Sequence, residues 1–170
     1  MLKGDHRGKI MSWERARDQV QAWRGQGRKA VFTNGCFDLL HIGHLRYLTE
    51  AKAQGDFLII GLNSDRSARE IKGPARPITP QDQRAEILAG LSTVDALVIF
   101  DQPDPLKLIT FLQPDVLVKG GDWPLDRIIG REAVEGRGGR VLTIPLTKGV
   151  STTSLINRIL ALNKDTEKNK

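Results

Sequence analysis

The 170-residue sequence has one cysteine, few aromatic residues and no long apolar run. Because Cys36 has no second cysteine to pair with, no disulfide can form within the chain, which is typical of proteins from the reducing cytoplasm. No apolar stretch approaches the ~20 residues of a membrane-spanning helix. Residues 1–7 also lack the apolar segment of a signal peptide. These absences predict a cytoplasmic protein with no membrane partner.

Basic residues are in modest excess, 26 against 20 acidic ones, which gives a formal charge of +6 and favours anionic ligands. Aromatic residues make up only 5% of the chain, and no block of lysine and arginine interleaves with them. The pattern typical of nucleic-acid binding is therefore missing. We expect small phosphorylated substrates and no nucleic-acid partner. A basic RNA-binding module remains a rival of a different class, and it would bind RNA in a salt-sensitive way.

Strand-like and helix-like segments alternate along the sequence. The run Phe57–Leu62 is continuously apolar, as in parallel strands that are covered on both faces. Repeated alternation predicts an α/β fold, a Rossmann-like doubly wound parallel sheet with helices on both faces, in a single domain. Five strands are predicted, at residues 29–33, 57–62, 96–100, 116–118 and 141–144. Ligands of such sheets bind beyond the carboxyl ends of the strands.

Three sections of the chain are expected. Residues 1–28 are predicted to form an N-terminal helical extension packed on the domain, and residues 29–162 the domain itself. Its final helix is expected over 151–162. Residues 163–170 are polar and are predicted to form a flexible tail.

The stretch 33–44, TNGCFDLLHIGH, is the most informative part of the sequence. An apolar run leads into an Asn34-Gly35 turn, and a helical pattern opens at His41. Such a strand–turn–helix exposes backbone N–H groups and the positive end of a helix dipole, which together bind anions. His41 and His44 share a helix face and can reach one phosphate chain, while Gly43 lets a ligand approach the backbone. The alternative is a purely structural role, a buried turn in which the two histidines do not bind a ligand.

The segment 72–77, KGPARP, places Lys72 and Arg76 among glycine and prolines. This composition restricts the backbone but leaves two long cationic side chains free, so the segment can close over a bound polyphosphate. A solvated surface loop explains the composition equally well.

Two later segments follow predicted strands. Lys119-Gly120-Gly121-Asp122 brings paired glycines, which let the backbone approach a base or ribose, and a carboxylate that accepts hydrogen bonds from hydroxyls. The segment 149–154, GVSTTS, precedes an apolar-periodic helix. A helix cap explains one hydroxyl residue, but several hydroxyls at a helix start also form a phosphate cradle.

The stretch 33–44, with its His41-Ile42-Gly43-His44, closely resembles the HxGH signature of the nucleotidyltransferase superfamily, the cytidylyltransferase-like group. The later segments resemble one branch of it, the bacterial D-glycero-β-D-manno-heptose 1-phosphate adenylyltransferases. The resemblance spans about residues 29–159. The HxGH element alone identifies only the superfamily, which includes class I aminoacyl-tRNA synthetases.

This resemblance implies an enzyme that transfers AMP from ATP to D-glycero-β-D-manno-heptose 1-phosphate. The products would be pyrophosphate and an ADP-heptose for lipopolysaccharide core biosynthesis. The partners implied are small molecules, ATP and the sugar 1-phosphate, and related enzymes often form homodimers. Rivals within the superfamily are a glycerol-3-phosphate cytidylyltransferase and an FMN adenylyltransferase. A non-catalytic nucleotide sensor is a further alternative.

The resemblance also implies roles for individual residues. His41, His44 and Lys72 would be catalytic, since they offset charge on the triphosphate, and nearby phosphate would favour protonated imidazoles. Asp38 would help to hold the Mg²⁺ that accompanies ATP. Asn63, Asp65 and Arg84 would lie near the acceptor. The nucleotide- and phosphate-binding residues would be Thr33, Asn34, Gly35, Cys36, Phe37, Gly43, Arg76, Lys119, Gly120, Asp122, Val150, Ser151, Thr152 and Thr153.

Cys36 lies inside the motif, but a nucleophilic cysteine needs an activating partner in a defined geometry. The transfer reaction requires no covalent intermediate. We therefore interpret Cys36 as a small packing residue.

Overall fold

A computed structural model describes residues 6–121 and 123–168, the last five of them by backbone alone. The strands are β1 (Ile10–Met11), β2 (Ala30–Gly35), β3 (Phe57–Asn63), β4 (Ala96–Phe100), β5 (Val116–Gly120) and β6 (Arg140–Ile144). The α-helices are α1 (Trp13–Gly25), α2 (Ile42–Lys52), α3 (Asp65–Lys72), α4 (Gln81–Ala89), α5 (Leu106–Leu112), α6 (Arg131–Glu135) and α7 (Thr152–Lys168). Short 3-10 helices cover His6–Lys9 and Leu125–Arg127.

The six strands of the described chain form one parallel sheet in the order β1-β4-β3-β2-β5-β6. The predicted doubly wound α/β fold is confirmed, but the predicted count of five strands is wrong. The additional strand is β1, which pairs with β4 at the sheet edge through Ile10 and Met11. Two residues are too few to show the periodicity by which a strand is recognised in a sequence.

The chain winds in both directions from β2. It passes through β3 and β4 on one side, then crosses back to β5 and β6 on the other. The carboxyl ends of β2 and β5 therefore flank a topological switch point, where open α/β sheets have their ligand crevice.

Alternate residues of the central strands supply two separate cores. Phe32 and Ile59 pack on one face with residues of α1, α5 and α6, and Val31 and Ile60 on the other with residues of α2 and α4. Strands covered on both faces have continuous apolar sequences, as β3 does. This rigid centre fixes the positions of the loops that leave the strand ends.

Helix α7 continues to Lys168, beyond Leu162, where the sequence placed its end. The helix start agrees with the prediction to within one residue. The division of the chain into sections 1–28, 29–162 and 163–170 stays a prediction. In the described part of the chain, no helix is long and apolar enough to cross a membrane.

Candidate nucleotide site at the sheet switch point

A cavity of about 460 Å³ opens beyond the carboxyl ends of β2 and β5. Its walls come from four segments: the turn after β2 with the start of α2, the end of α3 with the following loop, the end of β5, and the segment before α7. The lining residues are Asn34, Gly35, Cys36, Phe37, Asp38, His41, Gly43, His44, Tyr47, Lys72, Arg76, Lys119, Gly120, Trp123, Leu146, Thr147, Val150, Ser151, Thr152 and Thr153. The four motif-bearing segments thus meet at one edge of the sheet.

His41 and His44 lie together on the cavity wall. His41 is the N-cap of α2, and the two imidazoles are stacked with centroids 3.8 Å apart and planes 16° from parallel. Burial lowers the pKa of His41, and burial together with the neighbouring His41 lowers the pKa of His44 to about 4. The Nδ1 atoms of both rings are buried and have no hydrogen-bond partner among the described residues. Without a ligand, the pair is therefore neutral at pH 7, whereas the sequence suggested imidazolium character in the presence of phosphate.

Gly43 is required by the packing of this pair. A Cβ at this position would lie 3.0 Å from Nδ1 of His41 and 3.6 Å from Cβ of Thr147. To admit a side chain here, the His41 ring would have to shift by a few tenths of an ångström. Gly43 also lines the cavity, and the expectation that a ligand approaches its backbone stays a prediction.

Lys119 brings a buried amino group to the end of β5. Its Nζ donates to Oδ1 of Asn34 at 2.7 Å, and burial lowers the pKa of Lys119. This hydrogen bond links the ends of β2 and β5 across the switch point.

Thr33 lies beneath the cavity rather than on its wall, because its side chain is fully buried. Its Oγ1 is 2.6 Å from the hydroxyl oxygen of Tyr47, which donates to the carbonyl of Val118 at 3.3 Å. Burial raises the pKa of Tyr47 to about 12, so the phenol stays protonated. Thr33 therefore supports the cavity floor and does not contact a ligand in the cavity.

The cationic loop begins where α3 ends. Gly73 adopts a φ of 96°, which glycine reaches without steric cost, and the chain turns there so that both Lys72 and Arg76 line the cavity. The Arg76 Nε donates to Oδ2 of Asp38. The composition alone left a solvated surface loop open, but the structure directs both cations to the cavity.

Asp38 lines the cavity, but its carboxylate faces the loop. The carboxylate oxygens accept from the backbone N–H of Ile78 at 2.8 and 3.0 Å and from that of Thr79 at 2.9 Å, as well as from Arg76. Burial pushes the pKa of Asp38 up, but these hydrogen bonds outweigh it and hold the pKa below its usual range. Among the described residues, no group of three or more His, Cys, Asp or Glu side chains could hold a metal ion. Asp38 is therefore not surrounded by a preformed cluster of metal ligands in the part of the chain that the structure describes.

The start of α7 brings hydroxyls to the opposite side of the cavity. Ser151 and Ser154 exchange hydrogen bonds between side chain and backbone in both directions, a reciprocal helix cap. Thr152 Oγ1 donates to the carbonyl of Leu39 at 3.3 Å, which ties the start of α7 to the turn before α2. Val150, Ser151, Thr152 and Thr153 all line the cavity, as predicted for a phosphate cradle.

Arg84, Asn63 and Asp65 do not line the cavity. Arg84 is 1% exposed and donates to the carbonyls of Thr79 at 2.9 Å, Asn63 at 3.0 Å and Cys36, and to Oδ1 of Asp65 at 2.7 Å. Asn63 is also buried, and its amide donates to Oγ of Ser67 at 2.9 Å. The prediction that these residues lie near the acceptor is corrected in one respect: Arg84 is buried and holds the loop ends together. Four of the five N–H donors of this guanidinium are used within the protein, so Arg84 serves mainly to hold the surrounding loops.

Cys36 is part of the cavity wall, where burial raises the pKa of its thiol, although Lys72, Arg84 and Arg76 oppose that effect. A thiol with a raised pKa is a poor nucleophile. This environment supports its interpretation as a packing residue.

Four lining residues were not among the predicted site residues: Tyr47, Trp123, Leu146 and Thr147. Tyr47 follows His44 by three positions on α2, so the helical spacing could have indicated it. Leu146 and Thr147 belong to a segment with no motif of its own, and only the fold brings them to the cavity. Asp122, which the sequence placed in the nucleotide site, lies outside the described residues.

The cavity joins one cationic wall to neutral hydrogen-bonding and apolar walls. Lys72 and Arg76 supply positive charge, the histidines and the hydroxyls around Ser151 supply donors, and Trp123, 57% exposed, supplies an aromatic face. Positive charge and oriented donors are what binding and transfer of phosphoryl groups require. The apolar part can take a base or a sugar ring.

A family model described as Cytidylyltransferase-like matches residues 32–158. The chain is 51% identical over 156 residues to the bifunctional protein HldE of Syntrophotalea carbinolica, covering 92% of this chain and 32% of that protein. It is 53% identical over 141 residues to the bifunctional protein HldE of Geobacter sulfurreducens, covering 83% and 29% respectively. The chain thus spans about a third of the length of these curated relatives.

Solved structures show the same architecture. The lipopolysaccharide core biosynthesis protein from Thermoplasma volcanium GSS1 matches with a TM-score of 0.60 at 28% identity, over 73% of this chain and all of that one. A pantoate-beta-alanine ligase from Francisella tularensis matches with a TM-score of 0.60 at 18% identity, over 82% of this chain and 67% of that one, which shows a shared fold alone. These matches confirm the resemblance that the motifs indicated.

Proposed function

The chain belongs to the cytidylyltransferase-like family of nucleotidyltransferases, and from that membership we propose that it transfers AMP from ATP to D-glycero-β-D-manno-heptose 1-phosphate. The products are pyrophosphate and an ADP-heptose, an activated sugar for lipopolysaccharide core biosynthesis. The observation that carries the proposal is the single cavity in which His41, His44, Lys72, Arg76 and the start of α7 meet.

In the proposed reaction, an oxygen of the sugar 1-phosphate attacks the α-phosphorus of ATP in line. The bond from the α-phosphorus to the bridging oxygen breaks, and pyrophosphate leaves with the electron pair. Holding two anions in line and offsetting the developing charge is the main catalytic requirement of phosphoryl transfer. Lys72 and Arg76 offset charge on the triphosphate, and the histidines and the α7 hydroxyls orient it by donating hydrogen bonds.

We propose that Mg²⁺ is bound to the phosphates of ATP rather than to a site formed by the protein. Mg²⁺ commonly keeps several waters and is bound largely through substrate phosphates. Because the Asp38 carboxylate already accepts from Ile78, Thr79 and Arg76, it does not fit the role of a ligand that the resemblance implied.

Support for the heptose acceptor comes from the relatives. The HldE proteins and the lipopolysaccharide core biosynthesis protein match across most of this chain. The lysine-glycine-glycine element at Lys119 and the hydroxyl cluster at Ser151 resemble the heptose branch of the family. Cytoplasmic location and homodimer formation are part of the same proposal, and sedimentation tests the dimer.

The proposal predicts a specific pattern of pyrophosphate release from a panel of nucleotides and acceptors. ATP and CTP are each offered with heptose 1-phosphate, glycerol 3-phosphate and FMN, and pyrophosphate is measured. We expect release with ATP and heptose 1-phosphate alone. Release with CTP and glycerol 3-phosphate, or with ATP and FMN, would replace the proposal by one of the two rival transferases. RNA binding without release from any pair would favour the binding-module interpretation.

A further inference from the structure

The Asp38 carboxylate, at the edge of the cavity, accepts hydrogen bonds at both of its oxygens. Its side chain is 1% exposed. Oδ1 accepts from the N–H groups of Ile78 and Thr79 at 2.8 and 2.9 Å, and Oδ2 accepts from the Arg76 Nε and from Ile78 at 3.0 Å. A carboxylate has about four lone-pair sites, and four donor contacts occupy this one.

All these donors belong to one segment, the loop of residues 73–79 between α3 and α4. Two are backbone amides, so Asp38 fixes the path of the main chain at Ile78 and Thr79. The third is the side chain of Arg76, which lines the cavity. Asp38 is thus the anchor between the turn after β2 and the loop that carries the cavity's cations.

We propose that Asp38 is a positioning residue that fixes the 73–79 loop over the cavity and aims the Arg76 guanidinium at the nucleotide's phosphates. It acts through Arg76 and the loop, not by coordinating a metal ion. This inference rests on the proposed function only in naming a nucleotide as the ligand.

The pairing leaves Arg76 available for an anion. Asp38 engages Nε, and among the described residues neither Nη atom donates a hydrogen bond. Two parallel N–H groups can then bind a phosphate oxygen pair, the geometry in which arginine recognises phosphate. Because the side chain is held before the ligand arrives, less conformational entropy is lost on binding.

The negative charge of Asp38 also makes the cationic loop tolerable in the absence of a ligand. Lys72, Arg76 and the buried Arg84 all lie close enough to influence the Cys36 thiol. Cations that lie near one another repel, and the ion pair of Asp38 with Arg76 reduces that repulsion. Burial raises the pKa of Asp38, but the hydrogen bonds from Thr79, Ile78 and Arg76 and the charge of Arg76 lower it by more, so the carboxylate stays ionised.

The test compares the wild-type chain with Asp38→Asn, which keeps one acceptor but places an amide group against donors. Asp104→Asn is the matched control, because Asp104 lies outside the cavity and, among the described residues, its carboxylate accepts only the N–H of Leu106, at 2.8 Å. Hydrogen exchange of the Ile78 and Thr79 amides is measured in the ligand-free proteins. We expect exchange to accelerate about tenfold or more in Asp38→Asn and to stay unchanged in the control.

Equilibrium binding of a non-hydrolysable ATP analogue supplies the second measurement. We expect the dissociation constant to rise about tenfold in Asp38→Asn and in Arg76→Gln. The double variant should bind no more weakly than either single variant, because both substitutions remove the same interaction between Asp38 and Arg76. The Mg²⁺ concentration for half-maximal binding should not change. Arg76→Gln keeps both backbone bonds of Asp38, so it tests the pair even where Asp38→Asn fails to fold, as judged by circular dichroism.

Unchanged amide exchange in a folded Asp38→Asn would overturn the inference, as would a raised Mg²⁺ requirement with unchanged loop exchange. Additive effects of the two substitutions would overturn it as well. Failure of the proposed function is a separate result, namely no binding of the ATP analogue to the wild-type chain. In that case the exchange measurement still decides the anchoring role.

Discussion

At the scale of single residues, the histidine pair departs furthest from ordinary side-chain behaviour. The rings stack at 3.8 Å, and burial removes the stabilisation that water gives to a charged imidazole. A triphosphate beside them would restore that stabilisation. Two protonated rings at this distance would repel each other, so the pair accepts about one proton in total.

We predict that ATP binding at pH 7 is accompanied by net proton uptake at the histidine pair. The free pKa of His44 is about 4, so the ring is neutral at pH 7, and phosphate in the bound state raises that pKa. Binding therefore strengthens as the pH falls from 8 to 6. Calorimetry in buffers of different ionisation enthalpy measures the uptake.

His44→Ala is the control for this measurement, and it should abolish most of the uptake while the fold persists. Turnover should fall by about 10² to 10³, the usual cost of losing one group that stabilises transition-state charge. Uptake equal to the wild type in His44→Ala would show that the proton is bound by a group other than His44 and would contradict this prediction.

Sequence reasoning succeeds for residues whose chemistry is local and fails for those defined by distant partners. The three-residue spacing of His41 and His44 was enough to predict that the two rings lie close together. Nothing in the sequence shows that Arg84 reaches the carbonyls of Cys36 and Asn63, or that Asp38 faces the amides 40 and 41 positions away. A charged side chain in a sequence is readily interpreted as a ligand-binding group, and only the structure shows whether it is buried and paired within the protein.

At the scale of elements, the site is assembled from strand ends and helix starts. The ends of β2 and β5 are joined by the bond from Lys119 to Asn34, and α7 is tied to the turn before α2 by Thr152. Apolar runs and turn residues were sufficient to predict the central strands. They did not indicate β1, which is too short, or the end of α7, where polar residues continue the helix.

Lys72 ends α3, and we predict that Lys72→Ala impairs catalysis far more than stability. The side chain is exposed on the cavity wall. Substitutions of exposed side chains usually change the free energy of unfolding by no more than about 0.5 kcal/mol. Loss of its charge at the triphosphate should lower kcat by about 10² to 10³. Melting temperature and steady-state kinetics together check this.

Arg69→Ala is the matched control on the same helix. It removes one exposed positive charge about one turn before Lys72, outside the cavity lining. We expect near-normal turnover from it. A comparable loss of turnover in both variants would mean that α3 acts through its overall charge, and it would contradict a specific role for Lys72.

At the scale of the whole molecule, sheet topology decides where chemistry is possible. The chain reverses its direction of winding at β2, and the resulting crevice lies where the loops after β2 and β5 separate. A fold of this kind could be predicted from the alternation of elements. The assignment of Asn63, Asp65 and Arg84 to the acceptor stays a prediction, and these three residues do not line the cavity.

The molecule has a second, smaller cavity of about 250 Å³ near the amino ends of β5 and β6. Its lining includes three cationic residues, Lys29, Arg137 and Arg140, and one acidic residue, Asp115. An anion could be attracted there by charge alone. It lacks the paired histidines and the hydroxyls of a helix start, so we do not expect it to hold the nucleotide.

Mapping backbone amide shifts while titrating the chain with a non-hydrolysable ATP analogue tests the central claim most directly. We predict that the largest changes fall together in residues 34–44, 72–76, 119–120 and 150–153, the four segments that line the larger cavity. Changes centred on Lys29, Arg137 and Arg140, with those four segments unaffected, would contradict the account.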